Sequence, residues 1–260
     1  MHPLLKKKGY IIDIDGVIGR SVEPIEEGVR GVNKLLSIGK RVVFVSNNST
    51  RSKRILLERL KSFGIEVGEE SIVSATQTTA RFISKEKEGA KVFTTGEDGL
   101  KEELIKAGLK IVDHESAEYL VVGSNRKIDY DLMTKALRCC LRGTRYVATN
   151  PDKIFPSENG PTPGTGMIIG ALYWMTGRLP DVIVGKPSKV IMLEALEKLN
   201  LKADEILVVG DQIEIDVVAG KKIGAETLLV LTGISKKEDV EKADVKPDYV
   251  LPSLESLFLK

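Results

Sequence analysis

Histidine and cysteine are scarce in this chain of 260 residues: two of each. His2 and His114 are too few to build a His-centred catalytic triad or a His-rich zinc site. His114, between Asp113 and Glu115, reads as a surface residue. Cys139 and Cys140 are neighbours and cannot staple distant segments, which points to a reducing, intracellular setting. No apolar run approaches the ~20 residues that span a bilayer. The opening MHPLLKKKG places its charges after its apolar residues, the wrong order for a signal peptide. An excess of one charge is missing as well. The net charge is +2, with Lys and Arg spread among Asp and Glu, so nothing argues for a nucleic-acid partner. These absences lead to the expectation of a cytoplasmic protein with no membrane or nucleic-acid partner. What is present is 42% hydrophobic residues, enough for a sizeable core, in a length that suits one large domain or two modest ones.

The stretch GYIIDIDGV, Gly9–Val17, organises the chain. Tyr10, Ile11 and Ile12 form a short apolar run, the pattern of a strand buried on both faces of a parallel sheet. Asp13 and Asp15 follow where that strand should end, and then Gly16. Residues two apart on a strand point the same way, about 6.6–7 Å apart. Ligands of open parallel sheets bind at the carboxyl ends of strands. Two acids would thus share one side of a crevice.

Strand and helix alternate from there on. A linker, Val17–Pro24, leads to a helix through Val29, Val32, Leu35 and Leu36 that Gly39 stops. Arg41–Val45 is a strand, and a helix with Ile55, Leu56, Leu57 and Leu60 runs to Gly64. A second series begins near Thr79, with strands at Lys91–Thr95, Tyr119–Val122 and Arg145–Thr149 and helices at Asp98–Lys106 and Asp131–Leu141. A Pro- and Gly-rich loop, Pro151–Gly166, precedes an apolar helix, Met167–Met175. Val182–Val184 then leads to Gly185-Lys186-Pro187 and a helix with Val190, Leu193, Leu196 and Leu199. Ile206–Val209 is a strand ending in Gly210-Asp211, followed by a helix from about Ile215 to Ile223. Strands at Thr227–Leu231 and Tyr249–Leu251 and a short helix, Leu254–Phe258, close the chain. Strand–helix–strand spacing implies a parallel sheet with crossover helices.

Four strand tips carry polar residues: Asp13 with Asp15, Ser46 with Asn47, Lys186, and Asp211 with Asp216. Each has a plain structural reading. Ser46 suits a helix N-cap, Lys186 a solvated loop, Asp211 a turn, and Asp216 a first-turn acid favoured by the helix dipole. Together they describe a site for a divalent cation and a phosphoryl group. Carboxylates without His or Cys make a hard oxygen environment suited to Mg²⁺. One Asp carboxylate can attack phosphorus and form an aspartyl-phosphate, while a second acid protonates the leaving oxygen and then deprotonates water. Lys186, Ser46 and Mg²⁺ would clamp the oxygens on which charge sits. Backbone N–H groups beside Gly16 complete the cradle.

DIDGV, VFVSNNST, GKP and GDQIEID, in this order, resemble the four motifs of the haloacid dehalogenase (HAD) superfamily of phosphatases. The SNNST loop, ATNPD, the GTG before an apolar helix and TLLVLTG resemble its branch of NagD, p-nitrophenyl phosphatases and phosphoglycolate phosphatase. The resemblance implies an α/β fold, a Rossmann-like parallel-sheet core over 1–78 and 181–260, with a large α/β cap inserted at 79–180 between the second and third motifs. By the same resemblance Asp13 is the nucleophile and Asp15 the general acid/base. Gly16, Ser46, Asn47 and Lys186 hold the phosphoryl group. Mg²⁺ is bound by Asp13, the backbone carbonyl of Asp15 and Asp211. Asp216 orients Lys186 or the metal's waters. Asn150, Asp152, Gly164 and Thr165 face a small phosphate-ester substrate from the cap, through which the chain forms a homodimer. Val17, Gln212 and Ile215 depart from residues common at those positions elsewhere in the superfamily, which concerns fine positioning and not the reaction.

Other patterns carry less. Asn47-Asn48-Ser49 and Asn48-Ser49-Thr50 match a glycosylation pattern that means nothing without secretion. Gly164-Thr165-Gly166 lacks the strand of a dinucleotide loop. A Mg²⁺-dependent phosphomonoesterase is the leading reading. A phosphotransferase or mutase on the same core, and a non-catalytic phosphate-binding switch, are its rivals. The intact Asp15 argues against the switch, since a pure binder needs no general acid.

Overall fold

The computed structural model describes residues 2–157 and 160–259. In chain order its elements are β1 (Gly9–Asp13), β2 (Gly19–Arg20), β3 (Glu23–Pro24), α1 (Glu26–Ser37), β4 (Arg41–Ser46) and α2 (Lys53–Ser62). Then come β5 (Ile72–Ser74), α3 (Ala75–Glu86), β6 (Lys91–Thr94), α4 (Asp98–Lys106), β7 (Lys110–Ile111), β8 (Tyr119–Val122), α5 (Tyr130–Leu141) and β9 (Arg145–Ala148). The remainder are β10 (Ile154–Ser157), β11 (Gly160–Pro163), α6 (Thr165–Thr176), β12 (Val182–Ile183), α7 (Lys189–Leu199), β13 (Ile206–Gly210), α8 (Val218–Lys222), β14 (Glu226–Val230), α9 (Lys237–Lys242) and β15 (Tyr249–Leu251).

The chain divides into two compact units. The first holds residues 1–46, 56–73 and 186–260; the second holds 47–55 and 74–185. The second unit therefore includes the segment just after β4 as well as the insertion, and the insertion begins at Ser74.

A six-stranded sheet, ordered β15-β14-β13-β1-β4-β5, forms the first unit. β1 pairs in parallel with β13 on one side and β4 on the other. All five residues of β1 are buried, which is why its sequence shows an unbroken apolar run and not an alternation. Tyr10, Ile12, Phe44, Leu207 and Val209 share one core with Val32 and Leu35 of α1. Burying such a side chain is worth roughly 1.5–3 kcal/mol. Because β1 is central, Ile12 lies beside Val209 and Asp13 beside Val45. The tips of three strands meet there.

The second unit has its own five-stranded parallel sheet, ordered β12-β9-β8-β6-β7. Its core joins Phe93, Leu120, Val122, Tyr146 and Ala148 to Cys139 and Cys140 of α5 and Ile168, Ile169 and Leu172 of α6. Among the described residues, no helix is long and apolar enough to cross a membrane.

Several segments differ from their sequence reading. The loop at 151–166 contains an antiparallel hairpin, in which Ile154 pairs with Pro163 and Pro156 with Pro161; residues 158 and 159 lie outside the described residues. Proline is tolerated because both strands of an isolated hairpin are edges. The linker at 17–24 likewise holds the short β2–β3 hairpin. β5 and α3 occupy 72–86, ahead of the expected start of the second series. α3 is rich in threonine, which hides a helix from propensity. The helix expected at 215–223 opens instead with a wide π-type turn at Ile213–Val217, in which the Val217 N–H reaches the Gln212 carbonyl at 3.3 Å.

Candidate active site

In the first unit the structure brings Asp13, Lys186, Asp211 and Asp216 together. β1 ends on Asp13 and β13 ends one residue before Asp211. The π-type turn swings Asp216 back toward the tip of β13, so that its Oδ2 accepts from the backbone N–H of Asp211 (3.2 Å) and of Gln212 (3.1 Å). Turns of this kind recur at functional sites because the extra residue re-aims a side chain. Lys186, just ahead of α7, donates to Asp13 Oδ1 and, at 2.7 Å, to Asp216 Oδ1. All four side chains are buried.

Asp211 is held differently. Its Oδ2 accepts from the Ile234 N–H at 2.8 Å, while its Oδ1 is buried and has no hydrogen-bond partner among the described residues. Gly16 lies against this carboxylate. A Cβ there would overlap it, and φ of +91° is a conformation side chains rarely adopt. The Gly16 carbonyl accepts from Thr232 Oγ1 at 2.6 Å, which fixes the turn after β1. Ser46 is buried at the tip of β4, one residue after the Val45 that pairs with Asp13.

The electrostatics follow from this crowding. Burial, with the carboxylates of Asp216, Asp211 and Asp15 nearby, pushes the Asp13 carboxyl well above the ordinary range against the pull of Lys186. Burial, then Asp216, pushes Asp211 up to about 7. Burial alone would lower the Lys186 pKa, but Asp13 and Asp216 outweigh it and hold the ammonium above its ordinary value. Burial is the main cause of the two carboxyl shifts, and the neighbouring carboxylates add to it. Three buried carboxylates against one ammonium leave two negative charges, the charge of one divalent cation. One oxygen of each of Asp13, Asp211 and Asp216 lies within 4.8 Å of the others. With an orphaned Asp211 Oδ1 and an all-oxygen donor set, these residues fit a small hard cation such as Mg²⁺.

Asp15 has a partner of its own. Its Oδ1 accepts from Arg59 Nη1 on α2 at 2.7 Å. Arg59 had no signal in the sequence, because it lies mid-helix with neither motif nor periodicity to single it out.

The second unit holds the remaining residues singled out from the sequence. Asn47 Nδ2 donates to Asp152 Oδ1 at 2.9 Å, and Asn150 Nδ2 donates to the Asn47 carbonyl at 2.6 Å. Thr165, the first residue of α6, has its hydroxyl 2.9 Å from Ser124 Oγ and 3.2 Å from Ser49 Oγ. Gly164, at the N-cap of α6, donates its N–H to the Lys153 carbonyl. Ser49 lies in the SNNST loop, whereas Ser124 lies in no motif of the sequence.

The fold and this cluster define an α/β protein with buried carboxylates and a lysine at the carboxyl ends of a parallel sheet. A family model described as haloacid dehalogenase-like hydrolase matches residues 10–110, and a HAD-hydrolase-like model matches 183–257. The 5'-nucleotidase YutF of Bacillus subtilis is 36% identical over 247 residues, which cover 95% of this chain and 96% of that protein. The p-nitrophenyl phosphatase of Archaeoglobus fulgidus is 68% identical and superposes with a TM-score of 0.94, covering 98% of this chain and 100% of its own. NagD from E. coli K-12 superposes with a TM-score of 0.87 at 31% identity, covering 96% of this chain and 98% of its own. The chain belongs to the haloacid dehalogenase-like hydrolases, in their NagD-like branch, and is a phosphoric monoester hydrolase. The parallel sheet with an α/β cap between the second and third motifs is the fold of that family.

Proposed function

We propose that this protein is a Mg²⁺-dependent phosphatase of small phosphate monoesters (nucleotides, sugar phosphates, phosphoglycolate or p-nitrophenyl phosphate) that works through an aspartyl-phosphate. The observation that carries the proposal is the buried Asp13–Lys186–Asp216 contact beside an Asp211 oxygen with no partner. Asp13 attacks phosphorus and the ester P–O bond breaks, while Asp15 gives its proton to the departing oxygen. Water then attacks the phosphorus of the aspartyl-phosphate and gives a proton to Asp15. The Asp13 carboxylate leaves with the P–O electron pair, and inorganic phosphate departs.

Lys186 holds Asp13 Oδ1 and leaves the other oxygen for attack. Lys186, Ser46, Asn47 and the backbone at Gly16 bind the phosphoryl oxygens. Asp13, the Asp15 carbonyl and Asp211 would hold Mg²⁺, with Asp216 fixing Lys186. The cation, once bound, neutralises the charge that collects on the transferring phosphoryl group. Asn150, Asp152, Gly164 and Thr165 select the substrate. The exposed Tyr173, Trp174 and Met175 of α6 support a homodimer formed through the second unit.

Release of inorganic phosphate from a panel of small esters, with Mg²⁺ and with EDTA, tests this reading alongside Asp13→Asn. Metal-dependent turnover lost in the variant is expected. No turnover on any ester by folded protein sinks it.

A further inference from the structure

Arg59 is an unusual arginine for the middle of a helix. Its side chain is 6% exposed, yet its single ionic partner, Asp15, is 37% exposed. Two of its donors, Nε and Nη2, are buried without a partner among the described residues. Its guanidinium lies 5.4 Å from the centre of the Phe63 ring. Phe63 in turn packs against Gly19, where a Cβ would collide with the ring edge. The Gly19 backbone bridges to Asp15. Gly19, Phe63, Arg59 and Asp15 thus form a closed circuit of contacts around one carboxylate.

Stability does not account for this arrangement. Burying a guanidinium is costly, unpartnered N–H groups add to that cost, and a pair with a half-exposed carboxylate returns little of it. What the arginine does achieve is geometric. It holds Oδ1 of Asp15 from the protein side, and Oδ2 accepts no hydrogen bond from the described residues. An acid that must meet a leaving oxygen within about 2.6–3.2 Å gains from having its other oxygen fixed.

We propose that Arg59 is the positioning residue for Asp15, aiming its second oxygen at the leaving group; the inference rests on the phosphatase reading above. Arg59 transfers no proton itself. The step it serves breaks the ester P–O bond, forms the Asp13–phosphorus bond and moves the Asp15 proton to the departing alkoxide oxygen. Its effect therefore depends on how much the leaving group needs that proton.

The test compares kcat/KM for an alkyl ester, glycerol phosphate, with that for p-nitrophenyl phosphate, whose phenolate departs without protonation, in wild type, Arg59→Met and Arg59→Lys. The expected result is a fall of roughly 10–100-fold on glycerol phosphate and about 3-fold or less on p-nitrophenyl phosphate in Arg59→Met. Arg59→Lys should recover most of the difference. The melting temperature of Arg59→Met should be unchanged or higher, since a buried charge is exchanged for an apolar chain. Equal losses on both esters, no loss on either, or a melting temperature lowered by several degrees would each overturn the proposal and leave the phosphatase reading standing. A wild type inactive on both esters defeats the phosphatase reading, and this inference with it.

Discussion

The two units bury polar side chains in opposite ways. The first gathers formal charges: Asp13, Asp211 and Asp216 around Lys186. The second gathers mostly hydroxyls and amides: Ser49, Ser124 and Thr165 in mutual contact, Thr95 Oγ1 on the Gly123 carbonyl at 3.0 Å, and Asn47 with Asn150. A neutral group costs far less to bury than a charge, so the second unit tolerates buried hydroxyls that have no partner among the described residues, Thr78, Thr79 and Thr149 among them. The charged cluster cannot satisfy itself. Its excess of carboxylate is a standing demand for a cation and for an electrophile. The uncompensated formal charge lies in the first unit.

The largest effect expected from breaking this contrast is on Asp13. Asp13→Asn keeps the shape and removes the charge of the proposed nucleophile; phosphate release should fall by about 10³-fold or more while the circular-dichroism spectrum is unchanged. Next comes Lys186→Met, which leaves three buried acids with no ammonium. Denaturant titration should show a loss of roughly 3–5 kcal/mol, and added Mg²⁺ should restore part of it by binding the folded state.

Removing the cation without mutation should expose the same demand through pH. The Asp211 carboxyl is raised to about 7, above the ordinary value near 3.9 of an unfolded chain. Between those values the folded state binds more protons than the unfolded one, so stability falls as pH rises through that window. In EDTA the melting temperature should therefore be lower at pH 8 than at pH 5, and Mg²⁺ should narrow the difference. A melting temperature indifferent to Mg²⁺ at pH 8 contradicts the account of the cluster.

The second unit should respond weakly. Ser124→Ala removes one hydroxyl from the Ser49–Thr165 contact and should cost roughly 1–2 kcal/mol, with turnover of p-nitrophenyl phosphate within about 3-fold of wild type. A larger kinetic loss would mean that the neutral network takes part in chemistry. The smallest effect concerns Cys140, whose thiol burial pushes up to about 11. The thiolate is the reactive form, so a disulfide reagent at pH 8 should leave native protein unlabelled and react only on unfolding.

The sequence by itself determined the strands and their polar tips. β1, β4, β13 and β14 are apolar runs read correctly because strands buried on both faces need no partner to declare themselves. Asp13, Ser46 and Asp211 were legible because each stands at or just past the end of such a run in the first sheet; Lys186 follows β12, a strand of the second sheet, and only the tertiary structure brings it to Asp13. Only the tertiary structure decided what local pattern does not encode. The 154–163 hairpin depends on cross-strand pairing that prolines conceal, and α3 on burial that overrides threonine's weak helix preference. The π-type turn at 213–217 turns Asp216 onto the N–H groups of Asp211 and Gln212 through hydrogen bonds that no spacing announces. Arg59 reaches Asp15 across 44 positions of chain. Its role depends on which face of α2 is buried beside Phe63, and that is settled by packing.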